Sequence, residues 1–298
     1  MQKKPYVLGL DMGGTNSVLG VVDARGHVLA RTSIKTQAFP DINDYVNALY
    51  IEAEKIIEPL GGFEQVRGIG AGVPNGNYYT GMIEGAMNLP WQSIPFAQIM
   101  SDRFGLPCKI TNDANAAAMG EMTYGAAKGM KNFIMITLGT GVGSGFVANG
   151  EMIYGHDGFA GEFGHVIVER GGRECGCGRK GCWEAYSSAT ALIRMTAEKL
   201  AECEAQGRKT AMADMVAKKG RVTGRTAFDA MRAGDEAARE VVDIYIYYLA
   251  CGITNLVNIL RPEVLSIGGG ISGEGQALID ALLSFVRAKS RSAMAQLP

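Results

Sequence analysis

Residues 161–184 read GEFGHVIVERGGRECGCGRKGCWE, and the rest of the chain is organised around them. His165 is followed by Cys175, Cys177 and Cys182, so one imidazole and three thiols fall within a short span. That is a complete tetrahedral donor set for zinc. Gly171, Gly172, Gly176, Gly178 and Gly181 fill the gaps. A chain that curls tightly round one ion needs backbone conformations that glycine adopts at little cost. The same cysteines could instead supply a disulfide and a spare thiol. The remainder of the chain reads as intracellular, which favours zinc. With all four positions taken by protein, such a site is closed and structural rather than hydrolytic.

The chain has 298 residues, 47% of them hydrophobic, enough for two domains or one large two-lobed one. A net charge of −1 gives no electrostatic case for nucleic acid or an anionic membrane. The apolar run of the N-terminal MQKKPYVLGL stops at Asp11, too short for the hydrophobic region of a signal peptide. No uninterrupted apolar stretch reaches the length of a bilayer span. Cys108, Cys203 and Cys251 stand in apolar or helical contexts and read as buried free thiols. Together these features predict a soluble cytoplasmic protein. The 41 glycines are about twice the usual share of ~7% and cluster in loops after apolar runs. That placement suggests backbone approaching a ligand.

Outward from the cysteine stretch, the N-terminal half begins with three short apolar runs, Tyr6–Leu10, Ser17–Val22 and His27–Ile34. They predict a β-meander whose first turn is Asp11-Met-Gly-Gly-Thr-Asn16. Such a loop offers N–H groups and a hydroxyl to phosphate, and Asp11 can hold a hydrated cation. An ordinary glycine-rich hairpin turn reads the same way. The loop matches neither the P-loop nor the dinucleotide-binding fingerprint. Helical spacing follows over Ile42–Leu60, a strand over Arg67–Val73, a loop with Asn88-Leu-Pro-Trp91, and a helix over Pro95–Phe104. Trp91 could stack on a ligand or cover the core. Lys109–Thr111 is a brief strand before Asn112-Asp-Ala-Asn-Ala-Ala-Ala. Asp113 there reads as a helix N-cap or as a general base at a strand-to-helix junction.

Phe133–Leu138 is a strongly apolar strand feeding Gly139-Thr-Gly-Val-Gly-Ser-Gly145. Strand, Gly/Thr loop, strand repeats the start of the chain, which suggests an internal duplication with a cleft between the halves. After the cysteines the chain turns helical, over Thr190–Glu204, Thr210–Lys218, Arg225–Ala233 and a long Asp235–Leu260. Val264–Ile267 leads to a third loop, Gly268-Gly-Gly-Ile-Ser272, and a last helix over Gln276–Lys289. Glycines before a helix N-terminus suit a nucleotide or its phosphates.

DMGGTN, NLPW, TNDANAAAMGE, LGTGVGSG, GHDGFAGEFGH, ECGCGRKGCWE and IGGGIS occur in an order that resembles the ROK family of sugar kinases and repressors. Within the family the chain looks most similar to bacterial glucokinases. The resemblance implies an α/β, two-lobed actin-like ATPase/sugar kinase (ribonuclease H-like) fold with an inter-lobe cleft. The expected lobes are 1–112 and 113–298, the latter carrying the zinc-binding segment 165–182. By the same resemblance Asp113 is the general base for a hexose 6-hydroxyl attacking the γ-phosphate of ATP. Asn88, Asn112, Asp113, Glu162, His165 and Glu184 are the sugar ligands. One ring nitrogen of His165 binds zinc and the other faces the sugar, so zinc is a brace and not the catalyst. Asp11, Gly13, Gly14 and Thr15 meet the phosphates and Mg²⁺ from one lobe. Thr140 and Gly141 do so from the other, and Gly269 and Gly270 lie near the nucleotide.

The resulting expectation is an ATP-dependent hexokinase for glucose, forming a homodimer, with structural Zn²⁺. An N-acetylglucosamine or N-acetylmannosamine kinase would use the same acids and histidine. A sugar-responsive ROK repressor carries a helix-turn-helix module before the first loop, and only ten residues precede Asp11 here. A pure zinc-binding interaction module would leave the phosphate-type loops unexplained. Family members usually continue into a further helix returning to the first lobe, so a chain stopping at Pro298 is expected to be short or truncated.

Overall fold

The computed structural model describes residues 4–86 and 88–289; the chain end at Pro298 lies outside them. The predicted meander forms as β1 (Tyr6–Met12), β2 (Asn16–Val22) and β3 (Val28–Lys35), each antiparallel to the next. Helix α1 (Ile42–Ile57) follows, then β4 (Val66–Gly72), a small ribbon of β5 (Ile83–Glu84) and β6 (Ser93–Ile94), helix α2 (Phe96–Phe104) and β7 (Cys108–Thr111). β4 runs parallel to β1, and β7 parallel to β4, giving the order β3-β2-β1-β4-β7.

Strand alternation decides which face is core. Leu8, Leu10 and Met12 of β1, Ile69 and Ala71 of β4, and Ile110 of β7 are buried. Against them pack Tyr45, Val46, Leu49, Ala53 and Ile57 of α1 and Phe96, Met100 and Phe104 of α2, both at helical spacing. Asp41 caps α1 by accepting from Asn43 N–H at 2.7 Å. Helix α3 (Asp113–Tyr124) lies on β4's other face, where a Cβ on Gly72 would stand 3.0 Å from the Ala116 methyl.

The second sheet contains β8 (Phe133–Leu138), β9 (Val142–Ala148), β10 (Glu151–Met152) and a much later strand beginning at Val264. Between β10 and that strand come α4 (Glu184–Ser187), α5 (Ala189–Ala205), α6 (Ala211–Lys219), α7 (Thr226–Arg232) and α8 (Glu236–Leu260). β11 (Val264–Gly268) and α9 (Gln276–Lys289) close the described chain. The order is β10-β9-β8-β11. Third, second, first and fourth strands therefore lie side by side in both sheets, the topological counterpart of the repeated loop.

Helix α8 starts at Asp235, whose carboxylate accepts from Ala237 and Ala238 N–H. By length and composition it could cross a membrane, but half of its most apolar window is buried inside the molecule. Val241, Tyr245, Leu249, Ile253 and Leu256 are buried at helical spacing, the pattern of a core helix.

The chain divides into two compact units. One comprises residues up to Phe133 together with Gly145–Gly161; the other comprises Ile134–Ser144 and the chain from Glu162 onward. The division thus falls at Phe133/Ile134 rather than at the expected 112/113. The reason is the packing of α3 on β4, which keeps Asp113 with the strands that precede it. Residues 145–161 belong to the first unit because Asn77 and Tyr79 hold the carbonyls of Asp157 and Gly155.

Candidate active site

The cysteine stretch folds as a knot. His165 Nδ1 lies 3.6 Å from Cys175 Sγ, and Cys177 Sγ 3.6 Å from Cys182 Sγ. All four ligand atoms lie within 4.8 Å of one another. A tetrahedral zinc with ordinary bond lengths has S···S edges of ~3.8 Å and N···S edges of ~3.5 Å. The donor set therefore fits the ion, and Nδ1 is the nitrogen directed at it. Burial pushes the Cys175 thiol up to about 12, while the Arg179 backbone N–H draws Cys177 down to about 6. A cation bound among these thiols would ionise all three.

Backbone bonds tie the knot. Cys175 N–H donates to Arg179 C=O at 2.9 Å, and Trp183 N–H to Val166 C=O at 2.8 Å. At Gly181 φ is +84°, and a Cβ would strike the Glu169 carbonyl. The knot is then anchored to the helices. Trp183 is fully buried, and its Nε1–H donates to Tyr248 C=O of α8 at 2.9 Å. Its indole lies so close on Gly252 that any side chain there would collide with it. Arg173 makes two 2.7 Å bonds to Glu198 of α5.

This anchoring fixes Glu184 at the start of α4. Its Oε2 accepts from Val142 N–H at 3.0 Å, and its Oε1 is 3.8 Å from Cys175 Sγ. A Cβ on Gly141 would run into the Glu184 carboxylate, so the glycine in the second loop is required by that close approach. Gly139 N–H donates to Gly141 C=O at 3.0 Å, and Ala189 N–H to Gly139 C=O at 2.9 Å. The third loop sits beside the second, with Gly269 at φ +86° pressed against the Leu138 backbone. Arg232 Nη1 bonds Glu274 Oε2 at 2.5 Å and holds the turn that starts at Gly270. Thr140, Gly141, Gly269 and Gly270 thus gather where β8 and β11 end, the edge at which α/β sheets take ligands.

In the first unit, Asp11, Gly72 and Thr111 stand in one row across β1, β4 and β7. The hairpin loop closes through Gly13 N–H to Asn16 C=O at 2.9 Å. Beneath it, Ser17 Oγ bonds Thr36 Oγ1 at 2.8 Å and Tyr45 Oη at 2.6 Å, and Thr36 Oγ1 donates to Gly13 C=O at 2.7 Å. Asp11 and Thr15 remain exposed. Asn88 lies over this loop: a Cβ on Gly14 would be 3.2 Å from its amide nitrogen. Trp91 is buried, donates to Pro40 C=O at 3.1 Å and packs on Tyr45, so it covers the core.

The cap of α3 is Asn112, whose Oδ1 accepts from Ala114 N–H at 2.8 Å. Asp113 is the first helical residue and shares that donor, also at 2.8 Å. The cap role therefore falls to its neighbour. Asp113 is exposed, with protein atoms crowding one side of its carboxyl. That partial desolvation raises its carboxyl above the ordinary value, and the charge of Asp11 pushes the same way.

The first unit thus assembles Asp11, Gly13, Gly14, Thr15, Asn88, Asn112 and Asp113. The second assembles His165, the three cysteines, Glu184 and the second and third loops, with Glu162 opening its chain segment. Sequence reading missed the hydroxyl network under the first loop and the Trp183–Gly252 contact. Gly252 in the middle of a long apolar helix was a signal for the latter, because glycine weakens a helix unless something needs the space.

The family model described as ROK family matches residues 7–296. The chain is 37% identical to a glucokinase of Halalkalibacterium halodurans, covering 92% of this chain and 83% of that protein. It is 30% identical to a putative xylose repressor of Caldicellulosiruptor, covering 94% of this chain and 69% of that protein. A ROK family glucokinase from Streptomyces griseus, solved in complex with glucose and AMPPNP, matches at a TM-score of 0.82 and 30% identity, covering 98% of this chain and 92% of that one. Motif order, the strand order common to both sheets and these matches lead to one conclusion: the chain belongs to the ROK family.

Proposed function

We propose that this chain is an ATP-dependent hexokinase that phosphorylates glucose at its 6-hydroxyl. The observation that carries the reading is Asp113, an acid with a raised pKa at the first turn of α3, neighbouring Asp11 at the end of β1. Asp113 accepts the proton of the sugar's 6-hydroxyl as that oxygen attacks the γ-phosphorus. The P–O bond to ADP breaks, and the proton stays on the carboxyl until product leaves. A raised pKa makes this carboxylate a better proton acceptor than a free aspartate.

Asn88, the Asn112 amide, Glu162, His165 and Glu184 hold the other hydroxyls. With Nδ1 directed at the cysteines, His165 carries its proton on Nε2 and donates to the sugar. Zinc, when bound, supplies no chemistry on substrate; it fixes the tautomer and ring orientation of His165. Asp11, with Gly13, Gly14 and Thr15, suits hydrated Mg²⁺ and the phosphates, and Thr140, Gly141, Gly269 and Gly270 suit the nucleotide. The setting is read as cytoplasmic, and the family resemblance supports a homodimer, which light scattering tests.

The test is a coupled assay with ATP against glucose, mannose, fructose, N-acetylglucosamine and N-acetylmannosamine. The reading predicts the highest kcat/KM for glucose. A preference for an N-acetylated hexosamine would move the chain to the second kinase reading. Tight sugar binding without turnover would instead favour the regulator class.

A further inference from the structure

We infer that Asn77 is a positioning residue for the sugar-binding end of the site, an inference that rests on the kinase reading above. Asn77 is 3% exposed, and all its amide hydrogen-bonding directions point at named partners. Its Nδ2 donates to Asp157 C=O at 2.8 Å and to Glu84 Oε1 at 3.1 Å. Its Oδ1 accepts from Tyr79 N–H at 2.9 Å and Thr80 N–H at 3.2 Å. One side chain therefore closes its own loop and grips a strand of chain 80 residues away.

The grip is reinforced on both sides. Tyr79 Oη donates to Gly155 C=O at 3.0 Å, and the Tyr78 and Tyr154 rings stack at 4.1 Å with 3° between their planes. A Cβ on Gly158, at φ +93°, would stand 2.5 Å from Asn77 Oδ1, so backbone and amide meet without space for a side chain. Residues 155–158 are thereby fixed at one end. At the other end of the same short segment, His165 enters the cysteine knot. Glu162, the expected sugar ligand, lies between these two anchors. With 155–158 fixed by Asn77, the chain entering Glu162 has less freedom to lose when the sugar binds, which lowers the cost of binding.

Asp113 is not among the hydrogen-bond partners of Asn77, so releasing Asn77 should change sugar affinity and leave the chemical step alone. Asn77→Asp keeps the two acceptor contacts but removes both donations and sets a second carboxylate beside Glu84. Asn77→Asp with Glu84→Gln restores a donor–acceptor pair inside the loop while the bond to Asp157 C=O stays lost. The double variant therefore separates folding of the loop from restraint of the segment.

Turnover and hydrogen exchange test this on the whole zinc-loaded protein. The double variant should melt close to wild type, retain its zinc, and keep kcat and the KM for ATP within about twofold. Its KM for hexose should rise about five- to tenfold, the equivalent of one lost hydrogen bond of ~1 kcal/mol. Peptides covering 155–164 should exchange faster. An unchanged hexose KM with unchanged exchange overturns the proposal, as does an equal rise in both KM values. If wild type turns over no hexose at all, the kinase reading fails, and unaltered exchange at 155–164 still decides against the restraint.

Discussion

The two Gly/Thr loops occupy matching places in matching sheets, yet they are supported in opposite ways. The first, Asp11–Asn16, rests on hydroxyls packed beneath its own sheet: Ser17, Thr36 and Tyr45. It also carries its own acid at the end of β1. The second, after Leu138, has no carboxylate on its strand; its acid, Glu184, arrives from outside the sheet on the cysteine knot and bonds Val142 N–H. One topology therefore serves two tasks. The first copy presents acids built into strand and helix ends, Asp11 and Asp113. The second takes its acid, Glu184, from the cysteine knot. The shared strand order supplies the frame, and the differences between the two sheets set what each presents.

The largest effect that sharpens this comparison is expected at Asp113. Asp113→Asn should lower kcat by ~10²–10⁴, the usual worth of a positioned base, while hexose binding measured calorimetrically persists. Normal turnover would remove Asp113 from that role. Gly141→Ala should come next, because the new methyl meets the Glu184 carboxylate. Displacing Glu184 should raise the hexose KM by about tenfold or more, the equivalent of ~1–3 kcal/mol. A KM unchanged by this methyl would mean that Glu184 does not touch the sugar.

Ser17→Ala probes the other kind of support. Removing a fully buried hydroxyl bonded to two others should cost ~1–3 kcal/mol of stability, read as a lower melting temperature. It should raise the KM for ATP more than that for hexose; the reverse would exchange the tasks of the two loops. The smallest effect is electrostatic. Asp11 raises the Asp113 pKa, so Asp11→Asn should move the Asp113 titration, followed by NMR, to lower pH. Stability carries the matching sign. A carboxyl raised in the folded state costs stability above its unfolded pKa, and that cost disappears as pH falls below it. Asp113→Asn should therefore melt at or above wild type near neutral pH, with the gain vanishing in acid.

Much of the fold was legible because its signals are local. The apolar runs at Tyr6–Leu10 and Phe133–Leu138 and the stop at Pro262 each fix an element within about two residues, and the spacing of Tyr45, Val46 and Leu49 places α1, whose α-helix ends at Ile57, three residues before the expected Leu60. The gathering of His165 with Cys175, Cys177 and Cys182 was legible because these residues lie so close in sequence. The unit boundary was not, since it depends on α3 packing on Gly72, a contact between distant residues. Spacing alone also leaves Asp113 as a candidate cap. An Asn immediately before it took that role, which no count of alanines could reveal. Asn77 left no trace in sequence, because a polar residue in a glycine-rich loop looks solvated until its burial is known.

The central claim is that a zinc-held His165 and its neighbours form the sugar-binding end of a hexokinase. The most direct measurement is X-ray absorption at the zinc edge of the purified protein, paired with hexose calorimetry before and after metal removal. The account predicts one zinc per chain with three sulfurs at ~2.3 Å and one nitrogen at ~2.0 Å, and sugar binding lost together with the metal. Absence of zinc with Cys177 and Cys182 oxidised, or full hexose affinity in the metal-free protein, would contradict it.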